Sequence, residues 1–208
     1  MTSRVLYLHG FASGPGSKKA QLFRSRFLER GVELEIPDLA EEGFERLTIS
    51  GQLRVIDRVA AGGPVDLIGS SLGGYLASLY AARHPEVRKI VLLAPAFGFA
   101  GRWAETLGPE RMDEWRTRGW LNFYHYRDER ERPVSYELIE DGLRFEDYPD
   151  VRQPVLIFHG TNDTVVPPSY SVEFAAQRPN VRLELVDSDH ELMNAIGTMW
   201  EEAQRFLG

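Results

Sequence analysis

Val65-Asp-Leu-Ile-Gly69-Ser70-Ser71-Leu72-Gly73-Gly74 reads as an apolar strand running without a break into G-x-S-x-G. The helical stretch Leu72 to Arg83 follows and stops before Pro85. Strand, sharp turn and helix in that order expose a serine hydroxyl at a helix N-terminus, where backbone N–H groups and the helix dipole favour developing negative charge. Gly69 and Gly73 suit a chain that doubles back with no room for Cβ atoms. Ser70 is not the central residue, because Ile68 would then occupy the first glycine position. Ser71 is therefore the candidate nucleophile, and the amide of Leu72, next in the chain, is a candidate oxyanion donor.

Outward from this segment, short apolar runs alternate with stretches of helical period. Candidate strands are Val5 to Leu8, Val32 to Ile36, Val65 to Ile68, Ile90 to Leu93, Val155 to Phe158 and Val181 to Val186. Continuous Val, Ile and Leu suit strands covered on both faces, whereas Val32, Leu34 and Ile36 alternate with Glu and suggest a peripheral strand. Helical stripes are Leu22, Phe23 and Phe27 behind a Ser17 cap, then Ile49, Leu53, Ile56 and Val59, then Leu72 to Arg83, then Glu191 to Phe206. The pattern predicts one α/β domain over residues 1–208, a mainly parallel sheet with helices on both faces. From about Phe97 to Pro149 the alternation lapses. Three of the four Trp (Trp103, Trp115, Trp120) and the cluster Phe123, Tyr124, Tyr126 fall there, before the charged run Arg127 to Arg132. This stretch reads as a small helical lid above the sheet. Trp115, Trp120 and Tyr124 are its candidate substrate contacts, and the charged run reads as a solvated face.

A nucleophile on such an elbow takes its partners in the chain order serine, acid, histidine. His190, in Val186-Asp-Ser-Asp-His190-Glu, alone lies past a late strand where a loop at the carboxyl edge of the sheet can reach the elbow. The acid is Asp163, in Val155-Leu-Ile-Phe-His-Gly160-Thr-Asn-Asp163; Asp187 and Asp189 stand too close to His190 in sequence to approach its ring easily. A second oxyanion donor is expected from the loop His9-Gly10-Phe11, through the Phe11 amide. That loop has a rival reading, since Gly10 to Lys19 follows a strand and opens a helix as a phosphate loop does. Neither glycine spacing fits, because Pro15 and Lys19 stand where glycines are required.

The 208 residues carry 24 Lys plus Arg against 31 Asp plus Glu, a formal charge of -7 that disfavours nucleic acid and anionic lipid as partners. There is no cysteine, so disulfides, thiolate catalysis and Cys-based zinc sites are excluded. The longest apolar run, Ile90 to Gly101, is broken by Pro95 and is shorter than the ~18 to 20 residues that span a bilayer. Met1 to Leu8 lacks the apolar core of a signal peptide, which makes the cytoplasm the expected location.

Tyr7-Leu-His-Gly-Phe-Ala-Ser-Gly-Pro-Gly-Ser-Lys-Lys-Ala20, taken with Gly69-Ser-Ser-Leu-Gly-Gly74, resembles the small bacterial serine esterases of the YqiA type in the α/β-hydrolase superfamily. The Asp163 and His190 segments are similar to the corresponding hydrolase motifs. The resemblance implies an α/β-hydrolase fold, a Ser71, Asp163, His190 triad, and esterase or thioesterase activity on a small-molecule acyl substrate without metal or organic cofactor. Two other classes compete with it: a catalytically silent binding protein on the same fold, and a nucleotide-binding protein using Gly10 to Lys19.

Overall fold

The computed structural model of the chain describes residues 4–176 and 178–208; the first three residues of the stretch Met1 to Leu8 lie outside them. In chain order the elements are β1 (Arg4–Leu8), α1 (Lys18–Leu28), β2 (Leu34–Glu35), α2 (Ile49–Ala60), β3 (Val65–Ser70), α3 (Leu72–Ala81) and β4 (Val87–Leu93). Then come α4 (Phe99–Arg118), β5 (Trp120–His125), β6 (Arg130–Ser135), α5 (Glu137–Gly142), β7 (Val155–Gly160), α6 (Ser169–Ala176), β8 (Val181–Val186) and α7 (Ile196–Leu207).

The main sheet has six strands in the order β2-β1-β3-β4-β7-β8, and every neighbouring pair is parallel. Alternation along each strand explains why its residues are apolar without interruption. Leu6 and Leu8, Leu67, Ile90 and Leu92, and Val155 and Ile157 enter one core with α2, α3 and α6. Val5 and Tyr7, Ile68, Val91 and Leu93, and Leu156 and Phe158 enter the other, where Phe23 and Phe27 of α1 meet Trp200 of α7. The stretch Val32 to Ile36 contributes only two paired residues, Leu34 and Glu35, at the sheet's edge, as its alternation with Glu predicts for a peripheral strand.

Because the strands are parallel, the loops leaving β1, β3, β4, β7 and β8 all emerge at one edge, where ligands of open α/β sheets bind. Those loops carry Phe11, Ser71, the stretch 97–149, Asp163 and His190 respectively.

Two elements differ from their sequence expectation. The first is the stretch 97–149. It is helical where α4 and α5 lie, with α4 broken at Gly108 (φ +74°) before Pro109. Between them β5 and β6 form an antiparallel hairpin, with Trp120 opposite Ser135 and His125 opposite Arg130. The hairpin was hidden because β5 carries large side chains on both faces and β6 buries only Val134. The second is α7, which starts at Ile196 and not at Glu191. Leu192 adopts a left-handed conformation (φ +58°), and Asp189 Oδ1 accepts the amides of Glu191 (3.0 Å) and Leu192 (3.3 Å). Local bonding of this kind competes with a helix and leaves His190 in a shaped loop.

Candidate active site

Ser71 joins β3 to α3 with φ +55° and ψ -120°, a conformation that costs a residue bearing a Cβ roughly 1 to 3 kcal/mol. Its neighbours hold it there. The Ser71 amide donates to Leu93 O (2.9 Å), and its carbonyl accepts from Gly74 (2.9 Å), Tyr75 (3.2 Å) and Ala96 (3.0 Å). The flanking glycines are required: a Cβ on Gly69 would lie 2.4 Å from Gly73 O, and one on Gly73 2.0 Å from Leu8 O.

His190 Nε2 lies 3.1 Å from Ser71 Oγ, and Nδ1 lies 2.7 Å from Asp163 Oδ2. The other oxygen, Oδ1, accepts the amides of Val165 (2.9 Å) and Val166 (2.8 Å). Burial works to raise the Asp163 carboxyl, but the imidazoles of His159 and His190 and the Val166 amide outweigh it and hold the group below the ordinary carboxylate range. With Asp163 ionised, His190 carries its proton on Nδ1, which leaves Nε2 to accept from the Ser71 hydroxyl. The arrangement can pass a proton from Ser71 to His190 and stabilise the imidazolium that results. The other two late carboxylates are committed elsewhere: Asp187 Oδ1 accepts from Asn162 (2.8 Å), and Asp189 forms the turn described above.

His159 touches Asp163 from behind. Its Nε2 is 2.9 Å from Val166 O and 3.2 Å from Asp163 Oδ2, both acceptors, so the proton sits on Nε2 and Nδ1 accepts from the Ser171 hydroxyl at 2.7 Å. The sequence signal for this contact is the i, i+4 spacing of His159 to Asp163.

The Leu72 amide is the first of α3 and has no partner within the helix. The Phe11 amide makes no backbone hydrogen bond among the described residues. Gly10 brings that loop against the elbow, since a Cβ there would lie 3.2 Å from Ser71 Cβ. His9 fixes the loop's start: Nδ1 donates to Gly10 O (3.0 Å), and Nε2 accepts the Leu39 amide (3.1 Å). Burial pushes this imidazole below its ordinary pKa, consistent with the neutral form that these bonds require. Lys19, which a phosphate loop would offer to its ligand, is buried with Nζ 3.4 Å from His190 O.

Of the three aromatic side chains expected to contact substrate, one is buried within the insertion and two are exposed on its hairpin. Trp115 is 0% exposed, gives its indole N–H to Val134 O (2.8 Å), and packs against Trp103, Phe123 and Tyr136. It is the core of the insertion, with no surface left for a ligand. Trp120 and Tyr124 are 45% and 47% exposed on the outward row of β5, opposite the row of Leu121, Phe123 and His125. Four rings flank the Phe11 side chain: Phe44 (5.4 Å) and Phe99 (6.4 Å), which are buried, and Phe123 (5.5 Å) and Trp103 (5.6 Å), which are partly exposed. Nothing local in the sequence distinguishes Trp103 and Phe123 from their aromatic neighbours. Trp115→Ala is expected to lower stability by about 3 to 5 kcal/mol, while Trp120→Ala and Tyr124→Ala stay within about 0.5 kcal/mol of the parent in urea unfolding.

The family model described as an uncharacterised protein family, UPF0227, matches residues 4–207. Among curated proteins, the monoacylglycerol lipase abhd6-B of Xenopus laevis is 33% identical over 104 residues, covering 44% of this chain and 30% of that protein. The chain thus spans less than a third of that relative's length. Among solved structures, the alpha/beta hydrolase domain-containing protein 10 from mouse superposes with a TM-score of 0.80 at 22% identity, covering 100% of this chain and 90% of that one. Est1E from Butyrivibrio proteoclasticus, solved with ferulic acid bound, gives 0.79 at 21% identity, covering 99% and 89%. At these identities the likeness is one of fold, and the fold is that of the α/β hydrolases. Among the described residues no helix is long and apolar enough to cross a membrane.

Proposed function

We propose that this chain, which belongs to the UPF0227 family, is a serine hydrolase that cleaves a small-molecule carboxylic ester or thioester through an acyl-enzyme. The observation that carries this reading is the continuous relay from Ser71 Oγ to His190 (3.1 Å) to Asp163 (2.7 Å), set on a strained elbow. In the proposed reaction His190 Nε2 takes the Ser71 proton as Oγ bonds to the acyl carbon. The amides of Phe11 and Leu72 hold the oxyanion, and Asp163 supports the imidazolium. His190 then gives the proton to the departing alcohol or thiol. Water, deprotonated by His190, releases the acid and regenerates Ser71. The whole chain acts as one domain, with 97–149 as its cover, and the partly exposed rings of Trp103 and Phe123 beside Phe11 offer a wall for an acyl group.

The test is labelling with a fluorophosphonate followed by peptide mass spectrometry, beside hydrolysis of acyl esters and thioesters of graded length. The expected result is one phosphonyl adduct on Ser71 and turnover of at least one series. A chain that takes up no label and hydrolyses neither series would instead be a binding protein on a hydrolase fold.

A further inference from the structure

The turn of the β5–β6 hairpin lies on the loop that carries the Phe11 amide, and it holds that loop at several points. The Tyr126 amide donates to Ala12 O at 2.9 Å, and Ala12 is itself in a left-handed conformation (φ +55°) that an unsupported alanine would leave. Arg127 lies over Gly14 so closely that a Cβ on that glycine would stand 3.1 Å from Arg127 Cδ. Its Nη1 reaches Asp38 Oδ2 at 2.9 Å. Asp38 begins the segment whose Leu39 amide bonds to His9, so Arg127 ties together the two stretches of chain that bracket Gly10 and Phe11. The charged run Arg127 to Arg132, expected to be a solvated face, is at Arg127 a clasp. Its other end repeats the arrangement, with Arg132 on Glu45 (2.6 Å) and over the ring of Phe44, which packs on Phe11.

We propose that Arg127 is a positioning residue for the oxyanion site, holding the Phe11 amide in register with Ser71 by clasping loop 9–14 to the Asp38 segment. The inference rests on the proposed serine hydrolysis. Arg127 and Asp38 are 47% and 35% exposed, and exposed pairs of this kind contribute little to folding. A displacement of about 1 Å in a catalytic donor, by contrast, costs up to about 10²-fold in rate. Loss of the clasp therefore separates rate from stability, which loss of a merely structural contact does not.

The experiment compares the parent with Arg127→Ala, Arg127→Lys and Asp38→Asn. It measures kcat and KM on p-nitrophenyl acetate, Ki for a trifluoromethyl ketone that forms a tetrahedral oxyanion on serine, and Tm. Asp38→Asn keeps the oxygen that caps the Ala40 amide, sets an NH2 group opposite Arg127 Nη1 and so breaks that pair, and also removes the charge 4.0 Å from His9 Nε2. In Arg127→Ala, kcat falls about 10- to 100-fold and Ki rises by the same factor, with KM within about twofold and Tm nearly unchanged. Asp38→Asn shifts kcat and Ki in the same direction, and Arg127→Lys recovers most of the loss by keeping the charge. Parent values of kcat and Ki in Arg127→Ala, or losses that track Tm with no change in Ki, overturn the inference. Should Arg127→Ala fail to fold, unchanged kcat and Ki in Asp38→Asn overturn it equally. In each case a parent that still takes the phosphonyl label leaves the wider reading standing. A parent inert to the label overturns both.

Discussion

Ser71→Ala is expected to abolish turnover, by about 10⁶-fold if the residue is the nucleophile of a working triad, while Ser70→Ala retains most of it. The contrast between two adjacent serines makes the prediction sharp. Ser70 shares the sheet face of Ile68, in the layer covered by α1 and α7, and is buried. Ser71 sits one residue on, past the end of β3, where the left-handed turn swings its Oγ to within 3.1 Å of His190. Removing the Ser70 hydroxyl perturbs packing behind the elbow; removing that of Ser71 leaves His190 with no proton to take. Stability should separate them in the opposite sense, because among the described residues the Ser71 hydroxyl hydrogen-bonds to His190 and to no other side chain. Thermal melting beside ester hydrolysis checks both. Equal loss of activity in the two variants would mean that the register of the elbow is misassigned.

How much of this was legible beforehand depended on whether the cause was local. The sheet was readable because strands buried on both faces must be apolar throughout, as in Val65 to Ile68 and Ile90 to Leu93. The meeting of Ser71, Asp163 and His190 followed from chain order once the strands were parallel, because loops after parallel strands must share an edge. Long-range packing was not readable. Trp115 and Trp103 occur in the same kind of local sequence, yet one is sealed behind Val134 and the other borders Phe11. Large rings stand on both the inward row of β5 (Phe123, His125) and its outward row (Trp120, Tyr124), which erases the period-2 signal. Arg127 finds its carboxylate 89 residues away, at Asp38, a pairing that no charge pattern within the run announces.

Asp163→Asn is expected to depress kcat by about 10⁴-fold with the fold intact, and the structure supplies the reason. Two backbone amides, of Val165 and Val166, point at Oδ1, so an Asn in this position must keep its carbonyl oxygen there. Its NH2 group then replaces Oδ2, facing His190 Nδ1 at 2.7 Å and His159 Nε2 at 3.2 Å. Two donors cannot face each other, so His190 moves its proton to Nε2 and can no longer accept one from Ser71. The same substitution alters the dependence of stability on pH, and its sign follows from the direction of the Asp163 shift. The carboxyl is held below its unfolded value of about 3.9, so its contribution is fully present above that pH and is lost as pH falls toward the lowered native value. Urea unfolding should therefore weaken more steeply below about pH 4 in the parent than in Asp163→Asn, which has no carboxyl to protonate. Near-parental kcat in Asp163→Asn, with loss in Asp187→Asn or Asp189→Asn, would transfer the acid's role to another residue. Parallel stability curves below pH 4 would show that the Asp163 carboxyl is not held low by its four donors.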